Sequence, residues 1–334
     1  MNIYVPHYYK DFVCIADRCP DTCCAGWEVN LDHESAEKYR TVQGEIGKRI
    51  CSCLAKDEDG DDVFTLTGDR RCPFLNGSNL CDLHISLGEE SLSETCRMFP
   101  RYYEDFGYIR EMGLGMGCPE AARIILENDK PLDFIKCGKI NKPSEPVDND
   151  FLNMLIGLRN IFFTVLKNEE DSFRTKIRDI LEDAEDIQNE LDRDLFSEET
   201  CFRPDSGADF KACIEVLSEM EYLDENRKEM LLSLDPKTPC RKIYKEHHSD
   251  FVKLMQYYIH RYLLKAIFDY DILTKVKYGV FACAVIGRLY TVEPDHVKAM
   301  YGYSKEIEYS DINMDILDEA LYSDFSIESL ISLF

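Results

Sequence analysis

The stretch CIADRCPDTCCAGW, residues 14–27, sets four cysteines within eleven positions and ends on the only tryptophan of the chain. Thiols at that density are disulfide halves, metal ligands or nucleophiles, and each role demands a different structure around them. The crowding is also one-sided. Ten of the fifteen cysteines lie within residues 1–118, and only Cys201, Cys213, Cys240 and Cys283 follow residue 138.

Disulfides are the least expected use. The opening MNIYVPHYYKDF has neither the basic nor the apolar segment of a secretory signal, so a cytoplasmic, reducing location is expected. No run of eighteen apolar residues predicts a membrane span. A chain of 334 residues that is 45% hydrophobic can bury a core of ordinary size without covalent staples. A catalytic thiol would want a histidine and an acid as partners. Yet thiols outnumber histidines fifteen to seven, and only His84 lies near the cysteine motifs.

Metal ligation remains. Cys14, Cys19, Cys23, Cys24, Cys72, Cys81, Cys96 and Cys118 each sit beside a turn or a helix start, where backbone N–H groups favour a thiolate. Cys118 is the clearest case. Pro119 suits the first position of a helix that EAARIIL continues, which places Cys118 at the N-cap. The uneven spacing lacks the paired C-x2–4-C knuckles of zinc sites, and thiolates alone suit zinc or iron–sulfur. Eight thiols exceed the four of one site, so either some serve another purpose or there are two metals. Cys51, Cys53, Cys137 and the four late cysteines read as small buried hydrophobes.

The chain reads as mainly α with an α+β character. A cysteine-rich, irregular domain with short strands is expected over residues 1–137, a Pro-containing linker over 138–150, and a helical bundle over 151–334. WEVNLD and DVFTLTG alternate like strands, and DHESAEKYRTV reads as a helix. YGVFACAVIGRLYTV is apolar nearly all round, with small residues that permit close approach, and predicts a central buried helix. IRDILEDAEDIQNELDRDL predicts an amphipathic helix facing solvent. The net charge of −25 repels nucleic acid and anionic lipid and favours a basic partner or a lysine-bearing substrate.

CIADRCPDTCCAGWEV, CPFL, CDLH, CRMFPR and CPEAARIIL together resemble the flagellin lysine-N-methylase family, within a wider group of cysteine-rich zinc- or iron-chelating domains. The motifs fall within residues 5–126, and the helical second half, including YYIHRYLLKAIF, is similar more loosely. The resemblance implies methyl transfer from S-adenosylmethionine to lysine side chains of flagellin, on a protein carrying a [4Fe–4S] cluster. The ligands it implies are drawn from Cys19, Cys23, Cys24, Cys72, Cys81, Cys96 and Cys118, with zinc as the alternative metal. It makes C-R-x-F-P-R notable, with Arg97 and Arg101 as candidates for the cofactor carboxylate, since a guanidinium is a bidentate donor. The same arginines could pair with nearby acids or brace the cluster loops. The C-x3-C-x2-C signature of radical cofactor enzymes is absent.

EMGLGMG, with Glu111, Gly113, Gly115 and Gly117, mimics the glycine-rich loop of Rossmann-type methyltransferases. RYYEDFGYIR before it is a poor central parallel strand, so a turn delivering Cys118 is expected instead. His84 could ligate metal or donate to a sulfur, with packing as the favoured role. His260 and Arg261 could reach into a cofactor pocket but read first as a helix-surface pair, and His247 and His248 read as exposed. Trp27 either shields the metal or is ordinary core. The catalytic base is not legible. The alternative function is a non-catalytic zinc or iron protein in which the metal is a structural staple.

Overall fold

The computed structural model describes residues 1–27, 29–57, 59–130, 132–141, 145–195 and 209–334. Among the described residues, seven strands form two sheets. The larger joins β1 (Asn2–Pro6), β5 (Arg101–Phe106), β6 (Ile109–Leu114) and β7 (Phe134–Lys139) in the order β5-β6-β1-β7. β1 runs parallel to β6, with Asn2 opposite Ile109, and antiparallel to β7. The smaller joins β2 (Asn30–Leu31), β3 (Leu54–Lys56) and β4 (Asp62–Phe64) in the order β2-β4-β3. Both strands expected from alternation are therefore shorter than the pattern suggested. Glu28, within the first of them, lies outside the described residues, as do Cys201 and positions 142–144 of the expected linker. That linker opens on Gly138 and Lys139, which still belong to β7.

Two apolar cores result. Val29, Leu31, Tyr39, Ile50, Phe64 and Phe74 pack beneath the small sheet and the helices His33–Thr41 and Gly44–Cys53. The larger core takes in Tyr8, Phe12, Phe106 and Ile109 together with the helical half, so the main sheet and the bundle bury one continuous surface. No doubly wound sheet is present among the described residues.

The helix Ile272–Leu289 is central as expected, with every residue except Leu273 buried. The Asp271 carboxylate caps it by accepting from the Thr274 amide at 2.9 Å. Two of its lysines are buried but satisfied. Lys275 pairs with Asp269 at 2.7 Å, and Lys277 donates to the carbonyls of Leu321 and Phe325 at 2.8 and 2.7 Å. The acidic helix Phe173–Leu195 buries Ile177, Ile180, Leu181 and Ala184 and exposes its carboxylates, which is the expected amphipathic arrangement. The C-terminal segment docks on the bundle: Phe325, Leu330 and Leu333 are buried, and Phe334 packs on Phe173 and Tyr244. Among the described residues no helix is long and apolar enough to cross a membrane.

Candidate functional site

The cysteine loops are assembled by backbone hydrogen bonds. The Cys72 amide donates to the Cys24 carbonyl at 2.7 Å, Ala25 bridges Arg71, and Leu75 bridges Cys81. Thr22 Oγ1 accepts from the Cys24 amide at 3.0 Å, which sets the adjacent Cys23 and Cys24 sulfurs 4.0 Å apart. Cys81 precedes the helix Asp82–Leu87. Cys96 lies in the short helix Glu94–Met98, whose cap Ser93 accepts from the Cys96 amide. Cys118 is the N-cap of the helix Pro119–Glu127 with proline at its start, as its sequence predicts.

The thiols fall into two electrostatic neighbourhoods. Burial pushes the Cys72 thiol up to about 12, and Cys24, Cys96 and Cys81 push it the same way. Burial also raises Cys96 to about 11, with Cys24 and Cys81 adding to it, and raises Cys81, with Cys24 again a contributor. Cys118 is raised to about 11, first by burial and then by Cys19 and Cys14. Cys23 lies between the two: the Cys24 sulfur and burial raise it, and Cys96 and Cys14 both act on it. One neighbourhood is thus Cys24, Cys72, Cys81 and Cys96, the other is Cys14, Cys19 and Cys118, and Cys23 touches both. No three of the described thiols lie within 4.8 Å of one another.

The remaining cysteines divide. Cys213, Cys240 and Cys283 are buried as expected, whereas Cys51 and Cys137 are exposed and Cys53 is half-buried at the end of a short helix. His84 is exposed, because its short helix buries only Leu83.

Two cations tie the thiol loop to the bundle, Arg227 at 3.3 Å from Asp21 and, more closely, Lys305. Lys305, on the helix His296–Ile307, donates to both Asp21 oxygens and to the Thr22 carbonyl, each at 3.0 Å. Its Nζ also lies 5.1 Å from the Trp27 ring centroid. Trp27 donates its indole N–H to the Cys23 carbonyl and stacks on Tyr309 at 5.7 Å, with Phe99 completing the cluster. It is the half-buried aromatic link between the thiols and the polar core behind them.

That core explains the glycines. Glu111 and Gly113 lie in β6, not in a loop, and only Gly115–Gly117 form the turn into Cys118. Gly113 is paired with Tyr102 of β5, and a Cβ there would strike the Tyr102 hydroxyl. A Cβ at Gly115 or Gly117 would strike Tyr309. The glycines are clearance for two tyrosines.

Behind them Glu308 accepts from Tyr258 at 2.8 Å, Tyr257 at 2.9 Å and Tyr262 at 3.0 Å, with Arg261 Nε at 3.4 Å. The Tyr257 hydroxyl also accepts from Arg261 at 2.7 Å and from the Met116 amide at 3.2 Å, which pins the glycine turn. Glu111 accepts twice from Arg159, at 2.6 and 2.8 Å, and both side chains are buried. Burial opposes its ionisation, but the Arg159 guanidinium outweighs it and holds the carboxyl below its ordinary range. Sequence patterning missed this network, because its acids come from β6 and from the end of a different helix.

His260 is buried, contrary to the expected surface position, since β5 and β7 cover that face of its helix through Tyr102 and Phe134. Tyr102 Oη lies 3.3 Å from its Nδ1, while its Nε2 has no hydrogen-bond partner and stands 3.7 Å from Glu111. Burial lowers it from 6.5 to about 4, with Arg159 and Arg261 working in the same direction against Glu111. The unfolded chain takes up this proton near pH 6.5 and the folded chain only near pH 4. Stability is therefore expected to fall as pH drops through that window, by on the order of 3 kcal/mol from this group. His260→Gln should flatten that part of a urea-midpoint-against-pH curve. Curves of equal slope for variant and wild type would refute the assignment.

An open groove of about 570 Å³ lies in front of Tyr102. Asp32, Asp61, Glu94, Arg101, Tyr102 and Tyr103 line it. Arg101 donates to the Phe12 carbonyl at 3.3 Å and packs on the Phe12 ring at 4.9 Å. Arg97 is exposed and is not part of the lining, so the two arginines do not share a pocket. His247 and His248 are half-buried, not exposed, because the helix they begin packs against the bundle at its first turn.

The chain is similar to the flagellar biosynthetic protein FliU of Salmonella muenchen, at 27% identity over 133 residues, covering 38% of this chain and 79% of that protein. Lysine-N-methylases of Salmonella typhimurium and Salmonella choleraesuis are 27% and 28% identical over 133 residues, again 38% of this chain. The match spans a third of the length of these two lysine-N-methylases. No family model matches the chain. No solved structure matches it. The likeness to the lysine-N-methylases and to FliU is therefore distant and confined to part of the chain.

Proposed function

We propose that the chain is a methyltransferase that modifies lysine side chains of flagellin with S-adenosylmethionine and carries thiolate-held iron–sulfur. The groove beside Tyr102 is the observation that carries this reading. Its carboxylates, Asp32, Asp61 and Glu94, attract a lysine ammonium, while Tyr102 and Tyr103 line the groove for the aliphatic stem. Arg101 offers the cofactor carboxylate a guanidinium at the same groove. S-adenosylmethionine, when bound, supplies the methyl group. The names of the distant relatives support the same reaction.

All-thiolate ligation suits either iron–sulfur or zinc, and the preference for iron–sulfur rests on the resemblance of the cysteine motifs. The ligands in this reading are Cys24, Cys72, Cys81 and Cys96 in one group and Cys14, Cys19 and Cys118 in the other, with Cys23 placed to join either. When bound, the metal holds these loops in place and is redox-active.

Anaerobically purified protein, incubated with methyl-labelled S-adenosylmethionine and flagellin, is expected to yield methyl-lysine detectable by mass spectrometry. Calorimetry of the cofactor should show binding that Arg101→Leu weakens. Absence of both would leave the second reading, a metal staple. That reading is favoured by the placement of the thiol loops between the two apolar cores. The two-group assignment has its own test. Cys72→Ser and Cys118→Ser should each lose about half of the bound iron and sulfide, and the double variant nearly all. Complete loss in either single variant, or none, refutes two groups.

A further inference from the structure

On the opposite end of the bundle helices, three donor atoms converge without a bridge. Asp250 Oδ2 lies 3.7 Å from His247 Nδ1 and 3.7 Å from His296 Nδ1. One ligand atom from each residue lies within 4.8 Å of the other two. A separation of 3.7 Å is too long for a hydrogen bond. The three side chains are 20–30% exposed, so they are partly desolvated yet reachable from water.

The rings are held in place. The two imidazoles stand edge to face at 4.4 Å, and Tyr290 stacks on His296 at 3.8 Å with an interplanar angle of 11°. The Tyr290 hydroxyl donates to Asp250 Oδ2 at 3.4 Å, and Lys253 is the nearby cation that acts on Asp250. Burial, and then the neighbouring His247, lowers His296 below its ordinary value, while Asp250 and then Asp295 oppose this. A neutral imidazole has a lone pair to offer.

We propose that His247, Asp250 and His296 bind one divalent first-row transition-metal ion, separate from the thiol groups and independent of methyl transfer. Two imidazoles and a carboxylate suit zinc, cobalt, nickel or ferrous iron. Tetrahedral bonds of about 2.0–2.1 Å put donor atoms roughly 3.4 Å apart. The two edges to Asp250 therefore close by a contraction of about 0.3 Å, and the His247–His296 edge, which lies within 4.8 Å, by at most about 1.4 Å, within the reach of side-chain torsions, and the remaining positions go to water. The ion joins the starts of the helices His248–Tyr262 and His296–Ile307. The far ends of these helices carry Arg261 and Lys305. About fifteen residues at 1.5 Å each separate the ion from Arg261, roughly 22 Å. It clamps two helices whose opposite ends build the polar core.

Cobalt(II) is the probe, added anaerobically to the full chain as isolated with its thiol centres. Wild type should take up one more equivalent than His296→Ala, with visible d–d bands that lack the thiolate-to-cobalt charge-transfer absorption. His296→Ala should weaken that uptake by more than the ~10–100-fold that loss of an outer-shell partner costs. Asp250→Asn, which keeps the shape of the side chain, should weaken it as well. Cobalt should raise the unfolding midpoint of wild type and not that of either variant. Equal uptake in wild type and both variants, or uptake showing only thiolate character, overturns the site. A variant that fails to fold is replaced by His247→Gln, read in the same way.

Discussion

Glu308→Ala is expected to cost about 4–6 kcal/mol of folding stability, read as a shift of the urea midpoint, because it strands a buried cation and three hydroxyls at once. Loss of one partner of a buried ion pair costs about 3–5 kcal/mol, since the remaining charge keeps its desolvation penalty. Here that charge is Arg261, which has no second carboxylate within ion-pair distance among the described residues. Tyr257, Tyr258 and Tyr262 lose their acceptor in the same step. The terms overlap, so the total is less than their sum. Against a typical domain stability of about 5–15 kcal/mol, that is a large fraction. Glu308→Gln keeps the volume and an acceptor oxygen and should cost less, about 3 kcal/mol.

The effect should not stay in the bundle. Tyr257 holds the Met116 amide, and two residues later the chain reaches Cys118. If the two thiol groups hold metal as proposed, Glu308→Gln is expected to retain that of the Cys72 group better than that of the Cys118 group. A loss of stability below about 1 kcal/mol in Glu308→Ala, the scale of one exposed hydrogen bond, would mean that the network is wet and not structural.

What could be read from the residues follows the range of the interaction that decides each feature. The N-cap at Cys118 is legible because Pro119 marks it from the adjacent position. The central helix is legible because it is apolar on every face. The two thiol groups are only half legible. The motifs single out eight cysteines as candidates, but their partition depends on the Cys72–Cys24 and Leu75–Cys81 pairings, which bring loops together. Pairing between β1 and β6 carries no local signal, since its partners lie more than a hundred residues apart. The same cause hid the polar core. YYIHRY reads as an amphipathic helix, and nothing in it shows that Glu308 and Glu111 arrive from elsewhere to satisfy its buried side chains. The glycines of EMGLGMG were visible, but the tyrosines that need their space were not.

The Glu111–Arg159 pair separates two explanations for a charge in a core. It joins β6 to the helix Asn149–Lys167, and so bolts the main sheet to the bundle across the expected linker. Glu111→Leu leaves the guanidinium buried and Arg159→Met leaves the carboxylate buried, so each is expected to cost about 3–5 kcal/mol. The double variant, Glu111→Leu with Arg159→Met, removes both desolvation penalties and adds apolar contact beside Phe134, on which Arg159 now packs at 4.6 Å. It should recover most of the loss, ending within about 1–2 kcal/mol of wild type, because well-packed apolar replacements of buried ion pairs are often neutral. Urea midpoints of the four proteins give the coupling directly. A double variant as unstable as the worse single one would mean that the pair fixes the orientation of the sheet on the bundle through its two directed hydrogen bonds, which apolar packing cannot replace. Recovery would mean that the cost lies in unpaired charge alone, and that this junction needs complementarity of volume more than of charge.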